Sequence, residues 1–175
     1  MKKLFITYLP LFVLISCTPS TTISETDTNE AKNEINHVMN KWHESAAKAN
    51  HDAYIGTMST EGVYIGTDAT ENWTTLEFKE WSKPYFDKGQ TWDFKTLERN
   101  IYISDDGKTA WFDELLDTSL GLCRGSGVFR LQQEEWKLRH YVLSITVPND
   151  NLNEIIKINH ATDSILIHQI KEKNR

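Results

Sequence analysis

Cysteine is scarce in this 175-residue chain, which contains only Cys17 and Cys123. Cys17 lies in the N-terminal segment, so Cys123 has no second cysteine in the rest of the chain to pair with. The stability of the folded part must therefore come from packing and not from an internal disulfide. We expect Cys123 to be a small buried strand residue, although a nucleophilic role stays open.

Positive charge is also in short supply. The chain has 19 Lys and Arg residues against 25 Asp and Glu residues, a formal net charge of -6. Such a field repels a phosphate backbone, so we expect no nucleic-acid partner. Apolar residues make up 39% of the chain and aromatic residues 11%, which is enough to bury a core and excludes disorder along the whole chain.

No apolar run is long enough to cross a bilayer. The longest, from Leu4 to Ile15, falls short of the roughly 20 residues that a transmembrane helix needs, and Lys2 and Lys3 precede it. This pattern is typical of a secretion signal. The following segment LISC, at 14–17, resembles the lipobox of bacterial lipoproteins. An ordinary signal peptide that happens to contain a cysteine is the alternative.

The lipobox resemblance implies that residues 1–16 are a signal peptide and that Cys17 is the first residue of the mature protein, where it carries the lipid. Thr18 stands where some lipoproteins have Asp, which favours the periplasmic face of an outer membrane. Residues 17–29 contain Ile23 as their only large apolar side chain beyond the cysteine. We therefore predict a flexible tether over 17–29.

Helical periodicity begins after the predicted tether. Apolar positions over 30–49 recur at helical spacing, which predicts an amphipathic first helix. Asp52 is predicted to cap a short second helix that ends near Met58, and a short strand is expected at 63–66. Thr74 and Glu77 form a capping box that predicts a third helix over 75–86, irregular near Pro84.

Residues 91–147 have the pattern of strands separated by turns. Asp106-Gly107 indicates a tight hairpin that places Arg99 opposite Glu114. A second two-residue turn at Gln133-Glu134 would pair strand residues on either side of it. The resulting pairs are Leu131 with Trp136, Phe129 with Leu138, Gly127 with His140, and Cys123 with Ser144.

Three helical segments and a four-stranded antiparallel meander predict an α+β domain over 30–150. The tail at 151–175 has apolar residues at helical spacing near its start, followed by SILIHQI at 164–170, which is compatible with strand or helix. No internal repeat is visible.

Several segments resemble SnoaL-like proteins of the nuclear transport factor 2-like (NTF2-like) superfamily. They are GTDATENW at 66–73, Phe78 with KPYF at 83–86, AWFDE at 110–114, CRGSG at 123–127 and WKL at 136–138. The resemblance implies a cone-shaped fold in which a strongly curved sheet wraps around the helices, with a pocket at its open end and often a homodimer. The superfamily includes isomerases, cyclases, dehydratases and non-catalytic binding domains, so the fold alone does not decide the function.

Three residues are candidates for catalysis. His140, on the predicted inner face opposite Gly127, could transfer a proton, although a packed core histidine is equally compatible. Asp68 either faces the pocket or caps a turn. Glu114 forms a cross-strand ion pair with Arg99, and the two become candidates for binding an anionic or carbonyl group if both are buried.

Further residues are candidates for the pocket wall. Asp113 must point to the sheet face opposite Glu114, and Arg124 falls on the convex face unless a bulge at Gly125 turns it inward. Six aromatic residues from separate elements would converge on one cavity suited to a flat, partly apolar ligand, or else belong to the core: Trp42, Tyr54, Tyr64, Trp73, Tyr85 and Trp92.

No cysteine and histidine cluster has metal-ligand spacing, and no phosphate loop or nucleophile elbow is present, so we expect no metal and no cofactor. The first hypothesis is a lipid-anchored domain that binds an unknown small molecule. The second is an acid–base enzyme of isomerase, cyclase or dehydratase type that uses His140. The third is a dimeric interaction module whose exposed sheet face carries Val128, Tyr141 and Leu143.

Overall fold

The computed structural model describes residues 23–175. The predicted signal peptide, Cys17 and the first part of the predicted tether lie outside the described residues. Helix α1 spans Glu25–Ala47, which is five residues earlier than expected. It begins there because the Ser24 side chain accepts a hydrogen bond from the Asp27 amide, and because acidic residues in the first turn suit a helix N-terminus.

The second and third helices lie close to their predicted positions. Helix α2 spans His51–Gly56 and is capped by Asn50, whose side chain accepts from the Ala53 amide, so the prediction that Asp52 is the cap is wrong. Strands β1 and β2 span Met58–Ile65 and Asn72–Thr74. Helix α3 spans Thr75–Asp87 with the predicted capping box in place, and it continues through Pro84.

Four long strands follow: β3 at Lys95–Ile103, β4 at Thr109–Thr118, β5 at Gly121–Gln132 and β6 at Glu135–Ile145. They form the predicted antiparallel meander. The full sheet has six strands in the order β2-β1-β6-β5-β4-β3, because β1 pairs in parallel with β6 and antiparallel with β2. The α+β fold with helices packed on a curved sheet is therefore confirmed.

The predicted register is correct for β3 and β4, where Arg99 faces Glu114. Between β5 and β6 it is correct only as far as Phe129 and Leu138. Beyond that pair β6 contains one extra residue, Arg139, so Val128 pairs with His140 and Gly127 pairs with Tyr141. A bulge of this kind moves every later side chain of the strand to the other face.

The core lies between the inner face of the sheet and the helices. It includes buried side chains from α1, α3 and all of the long strands except β3, among them Ile35, Met39, Phe78, Leu116, Phe129 and Leu138. Cys123 is buried in β5 with its Sγ 3.5 Å from the Thr118 Oγ1, which confirms the prediction of a buried strand cysteine.

The tail is helical. A short 3-10 turn at Asn149–Asn151 leads into α4 at Leu152–Lys173, and no residue of α4 is buried. Helix α4 stands beside the loop at 67–70, separated from it by an open space of about 520 Å³. None of the helices between residues 23 and 175 is both long and apolar enough to span a bilayer.

Candidate functional site

An aromatic cavity opens between α3, β1, β2 and the loop that precedes β3. Its volume is about 290 Å³. Its apolar wall consists of Tyr64, Trp73, Trp81, Trp92, Phe94, Leu120 and Leu143, and polar groups at its edge include Glu71, Gln90 and Thr67. Apolar walls with a few polar groups are typical of sites for small organic ligands.

The indole rings of Trp73 and Trp81 stack with their centroids 4.5 Å apart, and Trp92 lies 6.4 Å from Trp81. Trp81 remains 38% exposed, so part of its ring faces the opening. Tyr64 closes the inner end and stacks on Phe78 at 3.9 Å. These flat surfaces match a flat, partly apolar molecule better than a compact polar one.

Three of the six predicted aromatic residues line this cavity: Tyr64, Trp73 and Trp92. Trp42 and Tyr54 are instead core residues, stacked at 4.8 Å, with the Trp42 Nε1 donating to the Tyr54 carbonyl oxygen at 3.0 Å. Tyr85 is exposed and packs against Trp81 outside the cavity.

The phenol groups beneath the cavity stay protonated. Burial raises the pKa of both Tyr54 and Tyr64 above the ordinary phenol value. Trp92 Nε1 donates to the Tyr54 Oη at 3.2 Å, which ties the loop carrying Trp92 to the core. The inner end of the cavity therefore presents a neutral and fixed surface.

A buried ionic network lies elsewhere on the inner face, centred on Glu114. Arg99 donates to the Glu114 Oε2 from Nε at 2.9 Å, and Nη2 lies 2.8 Å from the same oxygen. His43 Nε2 lies 3.0 Å from Oε1, and the Tyr141 hydroxyl donates to Oε1 at 3.1 Å. Both carboxylate oxygens are thus fully engaged.

The ionised state of Glu114 is maintained by these neighbours. Burial alone would raise the pKa of this carboxyl group, but the hydrogen bond with His43 and the positive charge of Arg99 outweigh burial and hold the pKa below its usual value. Gly125 leaves the space that the Tyr141 hydroxyl occupies, since a Cβ at that position would lie 2.3 Å from the hydroxyl oxygen.

The other nitrogens of Arg99 are also satisfied. Nη1 donates to the Asn36 Oδ1 at 2.6 Å and to the Asn40 Oδ1 at 2.8 Å, both on α1, and Nη2 donates to the Thr96 Oγ1 at 2.9 Å. Arg99 and Glu114 are both buried, as the hypothesis of an anion or carbonyl site requires. Their polar atoms are engaged with other protein groups, however, and are not available to a ligand. The network instead links α1 to the sheet through Asn36 and Asn40.

The structure does not bring the remaining predicted residues to the cavity. The bulge at Arg139 places His140 opposite Val128 on the outer face, so the prediction that His140 faces inward is wrong. Arg124 is exposed on the outer face, and Asp113 lies on that face with its Oδ1 accepting from the Asn100 Nδ2 at 3.2 Å.

Asp68 caps its own turn. Its Oδ1 accepts from the Thr70 amide at 2.8 Å and from the Thr70 hydroxyl at 2.6 Å, and these hydrogen bonds lower the pKa of the Asp68 carboxyl. Residues 23–175 contain no group of three or more His, Cys, Asp or Glu side chains placed to hold a metal ion.

Sequence reasoning missed Trp81, Phe94 and His43 as members of these two sites. The signal for Trp81 is present, because Phe78, Trp81 and Tyr85 share one face of α3. The signal for His43 is not local, since its partner Glu114 lies 71 residues further along the chain.

The fold is that of the NTF2-like superfamily, which several solved structures share. An NTF2-like protein from Pseudomonas putida KT2440 is 12% identical, with a TM-score of 0.57 over 71% of this chain and 92% of its own. A candidate dehydratase of the NTF2-like family from Streptomyces avermitilis is 12% identical, with a TM-score of 0.60 over 69% and 99%. The association domain of C. elegans CaMKII is 15% identical, with a TM-score of 0.58 over 70% and 100%.

The SnoaL-like domain family matches residues 35–148, which is well over half of the chain. The chain therefore belongs to the SnoaL-like domain family, as the sequence motifs indicate. No curated protein matches it. At identities of 12–15% the solved structures establish the fold alone, and the activity has to be argued from the site.

Proposed function

We propose that this SnoaL-like domain binds a small, flat, partly apolar molecule in the aromatic cavity. The observation that carries this proposal is the stacked pair of Trp73 and Trp81. The pair lies in the wall of a cavity of about 290 Å³, and the Trp81 ring is partly exposed to solvent. Stacked indoles offer a large apolar surface at low conformational cost, and the polar edge can orient one end of the ligand.

The test uses 1-anilinonaphthalene-8-sulfonate as a flat, partly apolar probe. The Trp81→Ala variant should weaken probe binding at least tenfold because it removes one wall of the cavity. The matched control is Trp111→Ala on the outer sheet face, where the indole is 47% exposed, and it should change the affinity less than twofold.

Equal effects of the two substitutions would contradict the proposal, since the probe would then bind exposed indoles in general. Mass spectrometry of small molecules that copurify with the wild-type protein, but not with Trp81→Ala, identifies the natural ligand. The geometry does not favour an acid–base enzyme built on His140, because His140 lies on the outer sheet face and both oxygens of Glu114 are engaged within a separate network.

We also propose that Cys17 is lipidated and anchors the domain at the cell envelope, on the periplasmic face of an outer membrane. The support is the charged and apolar segment followed by LISC at 14–17. Labelling with a fatty-acid analogue should mark the wild-type protein and not Cys17→Ser. Persistent labelling of Cys17→Ser would refute the anchor.

A homodimer is the third part of the proposal. The structural neighbour from C. elegans CaMKII is an association domain, and this supports our proposal of self-association. The surface is not the predicted set, because Tyr141 and Leu143 are buried on the inner face. Sedimentation velocity of the detergent-solubilised chain should give twice the protomer mass, and a protomer mass at all concentrations would exclude the dimer.

A further inference from the structure

Helix α4 has an apolar stripe that residues 23–151 leave largely uncovered, although its member Leu166 is half-buried. Leu152, Ile156 and Ile170 are 47%, 53% and 49% exposed on a helix of 22 residues with no buried side chain. Helices in proteins gain most of their stability by packing an amphipathic face. The stripe of α4 therefore lacks the contact that such a face normally makes.

The stripe follows a heptad pattern. Its members recur at alternating spacings of four and three residues, as in the contact seam of paired helices: Leu152, Ile156, Asn159, Asp163, Leu166 and Ile170. The pattern is also symmetric about Ala161. Its two ends are apolar, and its two central positions are polar.

We propose that α4 of one copy packs antiparallel against α4 of a second copy, with the two-fold axis near Ala161. This proposal rests on the homodimer proposed above and names its surface. In this arrangement Leu152 packs against the partner's Ile170, and Ile156 packs against the partner's Leu166. Asn159 faces the partner's Asp163, and its side-chain amide donates to that carboxylate.

The central polar layer selects this orientation. A parallel, in-register pair would set Asp163 against the partner's Asp163, and like charges in contact are repulsive. The antiparallel pair replaces that repulsion with two Asn–Asp hydrogen bonds. A polar position in an otherwise apolar seam is a known means of fixing register and orientation.

A lipid surface fits the same stripe less well. A helix that lies in the membrane interface buries a continuous apolar face. Here Asn159 and Asp163 interrupt that face at its middle, where immersion would desolvate a carboxylate without a partner. In the protomer Asp163 is exposed and Leu166 is half-buried, and both line the open space of about 520 Å³ that separates α4 from the loop at 67–70.

The experiment measures the dimer dissociation constant of the full-length chain in detergent by sedimentation velocity. Asn159→Asp should weaken the dimer at least tenfold, because the introduced carboxylate faces the partner's Asp163. Asn159→Lys should leave the dimer as tight or tighter, because it supplies an opposite charge. A parallel pair predicts no such gain, since the introduced ammonium groups would face each other.

A matched pair of isoleucines separates the seam from general hydrophobicity. Ile156→Ser should weaken the dimer at least tenfold, whereas Ile158→Ser, which removes an isoleucine that is 73% exposed outside the seam, should change it less than threefold. Because no residue of α4 is buried, neither substitution should unfold the domain, and circular dichroism verifies this.

Disulfide cross-linking tests the orientation. A mixture of Leu152→Cys and Ile170→Cys chains should form the mixed disulfide, because these positions face each other across the antiparallel pair, while Ile170→Cys alone should form no disulfide-linked dimer, with the wild-type chain as the baseline for its own cysteines. The reverse result would overturn the antiparallel arrangement.

The remaining outcomes are distinguishable. A wild-type monomer removes both the homodimer and the helix pair. A dimer whose dissociation constant is unchanged by Asn159→Asp and Ile156→Ser would support the homodimer but refute the pairing of α4 helices. If, in a Cys17→Ser background that lacks the proposed anchor, Ile156→Ser and not Ile158→Ser abolishes flotation with phosphatidylglycerol vesicles, and the chain is a monomer, the stripe belongs to a lipid surface instead.

Discussion

The Glu114 carboxylate contacts three buried side chains, those of His43, Arg99 and Tyr141. Its substitution should therefore lower the stability of the fold. Glu114→Gln removes the negative charge beside the buried guanidinium of Arg99. Breaking one partner of a buried pair leaves the other charge uncompensated, which costs about 3–5 kcal/mol in free energy of unfolding. Urea denaturation at neutral pH measures this loss.

The adjacent carboxylate serves as the matched control. Asp113 lies on the outer face and contacts Asn100, so Asp113→Asn should change the free energy of unfolding by less than about 0.5 kcal/mol. A cost for Glu114→Gln as small as that of the control would mean that Arg99 finds solvent or another acceptor, and that the network does not fasten α1 to the sheet.

The same carboxyl group gives stability a defined pH dependence. Burial opposes ionisation of Glu114, but His43 and Arg99 hold its pKa in the folded state below the ordinary value of 4.5. The unfolded chain therefore takes up this proton first as the pH falls. The contribution is complete above about pH 4.5 and is lost as the pH falls through the lowered pKa of the folded state.

Denaturation curves between pH 7 and pH 3 check this expectation. The difference in free energy of unfolding between the wild-type protein and Glu114→Gln should shrink on acidification, because the wild-type group becomes neutral as well. A difference that stays constant down to pH 3 would argue that the charge of Glu114 is not what stabilises the network.

Half of the six aromatic residues predicted for the pocket line the cavity. Tyr64, Trp73 and Trp92 line the cavity as expected. His140 was assigned to the wrong face because the sequence around Arg139 contains no local mark of a bulge. The residue that points inward is instead Tyr141, the next along β6. Its hydroxyl reaches Glu114 because Gly125 has no side chain to occupy that space.

At the scale of elements, the capping box of α3 is predicted correctly, whereas the cap of α2 is not, because Asn50 takes the role expected of Asp52. Thr74 and Glu77 start α3 through reciprocal hydrogen bonds, and the Glu77 carboxylate accepts from the Thr74 amide at 2.8 Å. The meander followed from alternation and turn residues. The parallel pairing of β1 with β6 could not be predicted in this way, because it joins segments that are distant in the sequence and depends on how the helices pack on the sheet.

The turn between β5 and β6 offers a stabilising change. Gln133 and Glu134 have φ angles of 50° and 66°, in the left-handed region that costs a residue with a Cβ about 1 kcal/mol or more. Replacing them together with Gln133→Asn and Glu134→Gly supplies the residues that such a hairpin turn prefers. The free energy of unfolding should rise by about 1 kcal/mol.

Glu135→Gly is the control for this turn, because Glu135 begins β6 and has no positive φ angle. Glycine there adds flexibility and removes the exposed ion pair between Glu135 and Lys137, so it should destabilise the protein by about 0.5–1 kcal/mol. If both variants lower the denaturation midpoint, the left-handed conformations of the turn are not a significant source of strain.

At the scale of the whole molecule, the chain divides into a packed SnoaL-like domain and a helix that the domain does not need. Since α4 has no buried residue, truncation after Asn151 should change the free energy of unfolding of the protomer by less than about 0.5 kcal/mol. It should also leave binding of the naphthalene probe intact, because no residue of α4 lines the aromatic cavity.

The same truncation should convert the dimer to a monomer in sedimentation velocity. A truncated protein that still dimerises would place the interface outside α4, and one that unfolds would mean that α4 packs on the domain in solution.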